Sequence, residues 1–278
     1  MESSFSRETA ILACRNMQQF YSKLNSLYES NNMSLESNRG RRNVLMSGPM
    51  EKFLADAIND NEISKDNLYH SVVSDGKTGE PDIVIYKNPT STHMYEDDRS
   101  IEIECKLTSP HQSSGSITFQ TDHDTLANKG SLDYVYIIAG ESFAEFCVLY
   151  FKGLTIDDFR SLSPGARGKV QMYKYLGMKK CSILVGSAVD SKQVKLEKLY
   201  ASNQQKILDK NKQITAWLNK LENLNKTQIY ERSKLLGQKE KAEKYIETLL
   251  NNQAQAVTII NKEKSRYSFK FETIGTIK

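Results

Sequence analysis

A short row of charged residues carries the strongest chemical signal in this sequence. Residues 101–107 read Ile-Glu-Ile-Glu-Cys-Lys-Leu. Side chains of a strand alternate between its two faces, so Glu102, Glu104 and Lys106 would share one face at intervals of about 7 Å, with the apolar residues on the other face. On an edge strand such a row could simply be solvent-facing charge pairing, so its chemical role depends on a further carboxylate.

That carboxylate stands at the start of the preceding strand candidate. Residues 79–86 read Gly-Glu-Pro-Asp-Ile-Val-Ile-Tyr, and the apolar run follows Asp82 directly. If the two strands are neighbours, Asp82 lies beside Glu104 and Lys106. Two carboxylates suit Mg²⁺, which binds few protein oxygens and keeps several waters, and a lysine beside it would hold a water or stabilise a charged transition state. The residues therefore predict metal-assisted phosphodiester hydrolysis.

The elements that must position these residues follow from the spacing of apolar side chains. Alternating steps of three and four predict one helix over residues 6–29 and a second from about residue 47 to 58, with Pro49 in its first turn. The basic segment 38–42 is either a solvated linker or a phosphate-contacting loop. Strands are predicted at 70–74, 82–86, 101–107, 134–139, 146–151 and 181–186, and a helix at 119–128. This order predicts an α/β (α+β) fold with a central mixed sheet flanked by helices.

The pattern Pro81-Asp82, followed after 21 residues by Glu104-Cys105-Lys106, resembles the PD-(D/E)xK signature of the restriction-endonuclease-like nucleases. The predicted order helix, three strands, helix, strand over residues 47 to 140 is also similar to that family's common core. The resemblance implies a restriction-endonuclease-like core and a Mg²⁺-dependent type II restriction endonuclease. Such an enzyme would hydrolyse double-stranded DNA at a specific sequence and leave 5′-phosphate ends. Cutting both strands of a palindromic site needs two active sites related by a twofold axis, hence a homodimer.

Carried over residue by residue, the resemblance implies a role for each matching position. Asp82 and Glu104 become metal-binding carboxylates, the backbone carbonyl of Cys105 a further ligand, and Lys106 the catalytic lysine. Family members often add a glutamate from the helix before the first core strand, and Glu51 occupies that place. The alternative for Glu51 is an acid near a helix N-terminus, where the helix dipole favours it.

Other functions stay open at this point. A structure-selective resolvase or a repair nuclease of the same superfamily would share the metal site. A non-catalytic DNA-binding or coiled-coil assembly protein would use the Glu-x-Lys row only for structure. Glu102, the remaining member of the row, is at most an accessory residue.

The polar stretch 109–124 follows the candidate catalytic strand and is well placed to meet DNA. Its candidates for DNA contact are Ser109, Gln120 and Thr121, because glutamine can read adenine edges and hydroxyl groups can hold phosphates. The alternative is that they are ordinary turn and helix-cap residues.

The charge of the chain is divided unevenly along its length. Residues 191–278 contain 18 Lys and Arg against 9 Asp and Glu, whereas the first 190 residues contain 20 against 25. Apolar residues seven apart beyond residue 191 predict an antiparallel helical hairpin broken at about 223–227, or alternatively one long helix, before strand-like alternation over 257–277. This basic arm could clasp DNA, form a dimer contact, or pack on the body as a solvated hairpin.

Composition excludes several other classes of protein. The apolar runs are too short to cross a bilayer, and residues 1–7 contain no secretory signal. Four widely spaced cysteines without a paired motif favour a reduced, intracellular (cytoplasmic) protein. No glycine-rich phosphate loop is present, so we expect no nucleotide cofactor. The predicted domains are an N-terminal helical segment (1–46), the nuclease core (47–190) and the basic helical arm with a short terminal strand region (191–278).

Overall fold

A seven-stranded mixed sheet forms the centre of the first of two units in the computed structural model. The first unit comprises Met1–Ala188 and Phe269–Lys278, and the second comprises Val189–Ser268. The terminal strand region therefore groups with the first unit and not with the helical arm. The structure describes residues 5–35, 39–60, 69–74, 79–87, 99–109, 119–140, 142–162, 168–173, 179–263 and 266–275.

The described elements of the first unit are three helices, a 3₁₀ turn and ten strands. The helices are α1 (Arg7–Ser30), α2 (Arg39–Asn59) and α3 (His123–Lys129), and the 3₁₀ turn is Ile156–Asp158. The strands are β1 (Tyr69–Val73), β2 (Ile83–Lys87), β3 (Arg99–Thr108), β4 (Gln120–Asp122), β5 (Leu132–Ala139), β6 (Glu145–Leu154), β7 (Phe159–Ser161), β8 (Lys169–Met172), β9 (Cys181–Val185) and, numbered last, β12 (Glu272–Thr273). β10 (Ser187–Asp190) and β11 (Tyr267–Lys270) form a two-stranded sheet where the chain passes between the units.

The large sheet contains both antiparallel and parallel strand pairs. Its order is β1-β2-β3-β5-β6-β12, and β9 also pairs with β6. β1 to β3 form an antiparallel meander, whereas β3 and β5 are parallel and are connected through α3. The prediction of a mixed α/β fold with a central mixed sheet is confirmed, and the six predicted strands all occur with small shifts of their ends.

Both faces of the sheet are covered, which buries all eight residues of β5. On one face, Val135 and Ile137 share a hydrophobic core with α1 and α2. On the other face, Tyr134 and Tyr136 pack with Phe119 in a second core. The second core is closed by the small antiparallel sheet β4-β8-β7, which the sequence did not predict.

The two N-terminal helices differ in how well their boundaries were predicted. α1 begins where expected, because the Ser6 hydroxyl accepts a hydrogen bond from the Thr9 N–H as its N-cap. α2 begins at Arg39 instead of near residue 47, and Pro49 lies inside it. The prediction of a loop at 38–42 is wrong for its described residues, since the Arg42 side chain is 1% exposed and lies over the ring of Phe143 at 5.3 Å. The contact with the aromatic ring stabilises the buried guanidinium, so Arg42 can lie on the buried side of α2.

The connection from β3 to β5 also differs from the prediction. A helix was expected over 119–128, but α3 starts only at His123 and residues 120–122 form β4. The carboxylate of Asp122 accepts hydrogen bonds from the N–H groups of Asp124 and Thr125, and this cap fixes the later start.

The second unit is an antiparallel helical hairpin. α4 (Ser191–Asn223) and α5 (Ile229–Lys262) are separated by residues 224–228, so the predicted break is confirmed and a single long helix is excluded. Strand-like alternation from residue 257 is wrong as far as Lys262, where the chain is still helical. Within the described residues, no helix is long and apolar enough to cross a membrane.

Candidate active site

Asp82 is fixed at the point where the β2–β3 ladder ends. Ile83 pairs with Ile103, and Pro81, which lacks an N–H, cannot continue the ladder toward Cys105. The Asp82 carboxylate takes that place, and its Oδ2 accepts a hydrogen bond from the Cys105 N–H at 2.6 Å. Its backbone carbonyl accepts a second hydrogen bond from the N–H of Ser74 at 3.0 Å. The carboxylate is therefore positioned by the sheet itself.

Glu104 and Lys106 lie on the same face of β3, as the alternation predicted. They pair in register with Tyr134 and Tyr136 of β5, and the Lys106 Nζ lies 2.6 Å from the Glu104 Oε1. Burial raises the pKa of Glu104; the ammonium of Lys106 opposes this rise, and the charge of Asp82 adds to it. The β3 strand is thus central in the sheet, which excludes the alternative of an edge strand with solvent-facing charges.

Glu51 lies on α2 and is electrostatically coupled to this group. Its side chain is half-buried, and its pKa is raised to about 7 by burial and by the negative charges of Asp82 and Glu104, against the lowering effect of Lys106. The predicted catalytic residues Glu51, Asp82, Glu104 and Lys106 are therefore neighbours in the structure. Lys106 is the cation that acts on both Glu51 and Glu104, and Lys169 acts more weakly on Glu104, so the three carboxylates outnumber the nearby cations.

The oxygen atoms of this group suit a hard cation. The N–H and C=O of a strand residue point to the same neighbouring strand, so the Cys105 carbonyl faces the end of β2 that carries Asp82. The Cys105 thiol is buried in the first core, and burial raises its pKa well above the usual range, so it offers no thiolate. Asp82, Glu104 and that carbonyl match the few protein oxygens that Mg²⁺ takes.

Three carboxylates are not gathered into one coordination sphere. Among the described residues, no group of three or more His, Cys, Asp and Glu side chains is arranged to hold a metal ion. The coupling of Glu51 to Asp82 and Glu104 therefore acts through space.

A lysine that the sequence did not single out lies next to the row. Lys129, in the last turn of α3, donates to Glu102 Oε1 at 2.9 Å and lies 3.7 Å from Glu80 Oε2. It links the crossover helix to β3 and to the residue before the Pro81-Asp82 pair. A cation in a last helical turn is an expected feature, but no sequence spacing connects residue 129 with residue 102.

The predicted DNA-contacting residues do not form one surface. Ser109 is 1% exposed and Thr121 is 3% exposed. The Thr121 hydroxyl accepts a hydrogen bond from the Tyr134 hydroxyl at 3.1 Å, which explains its burial. Gln120 is exposed and remains available. Residues 110–118 of the same stretch lie outside the described residues.

Comparison of the chain with protein-family models, with curated proteins and with solved structures gave no match.

Proposed function

We propose that the chain is a Mg²⁺-dependent endonuclease with a restriction-endonuclease-like core, which hydrolyses double-stranded DNA at a specific sequence as a homodimer. The observation that carries the proposal is the grouping of Glu51, Asp82, Glu104 and Lys106, with Asp82 held by the Cys105 N–H at 2.6 Å. In support, the element order α2, β1, β2, β3, β4, α3, β5 agrees, apart from the short strand β4, with the order that the resemblance implies.

The donor oxygens define what each residue would contribute. Asp82, Glu104 and the Cys105 carbonyl would hold Mg²⁺, which supplies charge neutralisation at the phosphate and lowers the pKa of a bound water. Lys106 would release Glu104, orient the attacking water and stabilise the charge that develops on the phosphate. Water attack in line with the 3′ oxygen leaves a 5′-phosphate. Glu51, which is electrostatically coupled to Asp82 and Glu104, is suited to take up the proton of that water.

The direct test is digestion of plasmid DNA with the full chain, with Mg²⁺ or with EDTA. Discrete bands that require Mg²⁺ are expected, because a specific site gives a fixed set of fragments. Lys106→Ala and Asp82→Asn should each lower the cleavage rate by about 10²-fold or more. Lys152→Ala, which removes an exposed lysine of β6, is the matched control and should cut at the wild-type rate. Cleavage confined to branched or flapped DNA would instead indicate the resolvase or repair function.

Metal binding has a readout that does not need catalysis. Mg²⁺ at ten times its dissociation constant should stabilise the wild-type protein by about 1.4 kcal/mol, because a ligand that binds only the folded state adds RT ln(1 + [L]/Kd). Asp82→Asn should lose most of this increment in thermal unfolding. Equal stabilisation of both proteins would contradict the assignment of Asp82 as a ligand.

A non-catalytic function is favoured by one observation, the Glu104–Lys106 ion pair at 2.6 Å. In that case the pair only satisfies two largely buried charges, and removal of Lys106 would affect stability without affecting any cleavage. DNA binding by the wild-type protein without Mg²⁺-dependent cutting would support this second function.

A further inference from the structure

The two flanks of the helical hairpin carry different charges. Asn203 and Leu221, both buried, mark the packed side of α4, and Ala242 and Leu249 mark that of α5. At 3.6 residues per turn, seven lysines fall on one flank of these packed sides, and two of them, Lys192 and Lys195 at the start of α4, contact Asn261 and Glu263 at the end of α5. We call the other five lysines the basic face; they are Lys206, Lys210, Lys220, Lys234 and Lys241.

A contact between the helices shows that the lysines of α4 and α5 belong to one surface. The Nζ of Lys210 lies over the ring of Tyr245 at 5.7 Å, so these flanks of the two helices adjoin. Lys206 precedes Lys210 by one turn, and Lys241 precedes Tyr245 by one turn. At the loop end, the guanidinium of Arg232 donates a hydrogen bond to the Leu221 carbonyl at 3.2 Å. Lys234 of α5 and Lys220 of α4 therefore lie at similar positions along the length of the hairpin.

The basic face is poorly neutralised by the protein. None of its five lysines forms an ion pair within the part of the chain that the structure describes. Four of them are exposed, and Lys210 is half-buried. The acids closest to this flank are Asp209, Glu231 and Glu263, and Glu263 is already paired with Lys195 at 2.6 Å.

The opposite flank has the reverse character. Its charged residues include Glu197 and Glu222 of α4 and Glu243 and Glu247 of α5. Lys239 on this flank is paired with Glu243 at 3.2 Å. The opposite flank is therefore rich in acids, whereas the lysines of the basic face lie outside the described ion pairs and can reach a polyanion.

We infer that the basic face binds the phosphate backbone of duplex DNA. The lysines span 14 residues of α4, about 21 Å, which matches about six base pairs of duplex. Flexible lysines suit phosphate contacts that are independent of sequence. The choice of DNA as the polyanion rests on the proposed function, whereas the basic face itself does not.

Two variants with equal net charge test the inference. The first replaces the five lysines of the basic face with glutamine, which keeps a high helix propensity. The matched control replaces five other lysines of the same hairpin that are not part of the basic face: Lys198, Lys212, Lys226, Lys239 and Lys244. Binding of the full chain to a labelled DNA duplex is measured by fluorescence anisotropy in EDTA, between about 50 and 200 mM salt.

The first variant should bind at least about 100-fold more weakly than the wild type near 0.1 M salt. The slope of its plot of log K against log salt should be shallower by up to about 4.5, which is about 0.9 for each of the five lost phosphate contacts. The control should change the slope by less than about one. Equal losses in both variants would show an effect of net charge alone, and no loss in the first variant would show that the basic face does not contact DNA. Either result overturns the inference, as does tighter binding of duplex RNA than of DNA by the wild type.

A third variant keeps the test valid if glutamine disturbs the hairpin. Arginine at the same five positions preserves the charge and should retain the wild-type salt dependence, whereas loss of binding in this variant contradicts a backbone contact. Plasmid digestion by the same proteins separates the two proposals. Binding through the basic face without any cutting refutes the nuclease, and cutting with unchanged binding by the glutamine variant refutes the basic face.

Discussion

Replacement of Glu51 by glutamine should stabilise the metal-free protein, although it removes a residue of the candidate site. The carboxylate is half-buried and its pKa is raised to about 7 by burial and by Asp82 and Glu104. Because an unfolded glutamate has its pKa near 4.3, the folded state binds the proton more tightly than the unfolded chain does. Glutamine resembles the protonated side chain in size and polarity and removes the repulsion.

The magnitude follows from the difference between the two pKa values. A difference of this size corresponds to about 3 kcal/mol for a fully shielded group, and solvent screening of a half-exposed side chain reduces it to about 1–2 kcal/mol. The size of the effect depends on pH. Glu51 costs the folded state nothing below about pH 4.3, where both states are protonated, and its cost grows as the pH rises to about 7 and is constant above. The stabilisation by Glu51→Gln should therefore be absent at the acid end and complete above pH 7.

Urea unfolding in EDTA at a series of pH values measures this difference. Glu29→Gln on α1 is the matched control, because Glu29 is exposed. The free energy of unfolding of this variant should equal that of the wild type at every pH. A Glu51→Gln variant no more stable than the wild type above pH 7 would refute the electrostatic coupling. A gain that does not depend on pH would show a packing effect instead. Added Mg²⁺ should narrow the difference, because a cation relieves the same repulsion.

Two further substitutions test backbone contacts that stabilise the first unit. Asn59→Ala should destabilise the protein by about 2–4 kcal/mol in urea unfolding. The Asn59 amide hydrogen-bonds both the N–H (2.7 Å) and the C=O (2.8 Å) of the Ser71 backbone, and both groups would be left buried and unpaired. A cost below about 0.5 kcal/mol would show that water replaces both bonds. Gly186→Ala should cost about 3 kcal/mol by the same assay, because its φ of +77° is left-handed and an added Cβ would lie 2.5 Å from the Lys270 carbonyl oxygen; an unchanged stability would show that the backbone there relaxes without penalty.

Much of the sheet could be predicted because its strands carry a strong local pattern. Residues 134–139 of β5 and 146–151 of β6 are continuous apolar runs that are buried on both faces, and the charged row of β3 alternates regularly with apolar residues. The small sheet was missed because β4 and β7 have three residues each, too few to establish a period of two.

The candidate site was predicted in composition but not in its connections. Motif spacing placed Asp82, Glu104 and Lys106, since both strands could be identified locally. The hydrogen bond from the Cys105 N–H to Asp82 arises from the place where one strand stops pairing, which no single segment encodes. The burial of Thr121 was missed for a similar reason, because its partner Tyr134 belongs to a strand beyond the next helix.

The chain returns to the large sheet after the helical arm, so the arm lies between two parts of the first unit. β12 pairs with β6, and Ile274 is buried in the first core, so a truncation before residue 269 would remove part of the first unit. The arm is an insertion, and its two ends meet, since the Ser191 N–H donates to the Arg266 carbonyl at 2.7 Å. A turn of about two residues could therefore replace the whole hairpin. The first unit could be produced without the arm in this way, and the arm could be grafted into a hairpin turn of another protein.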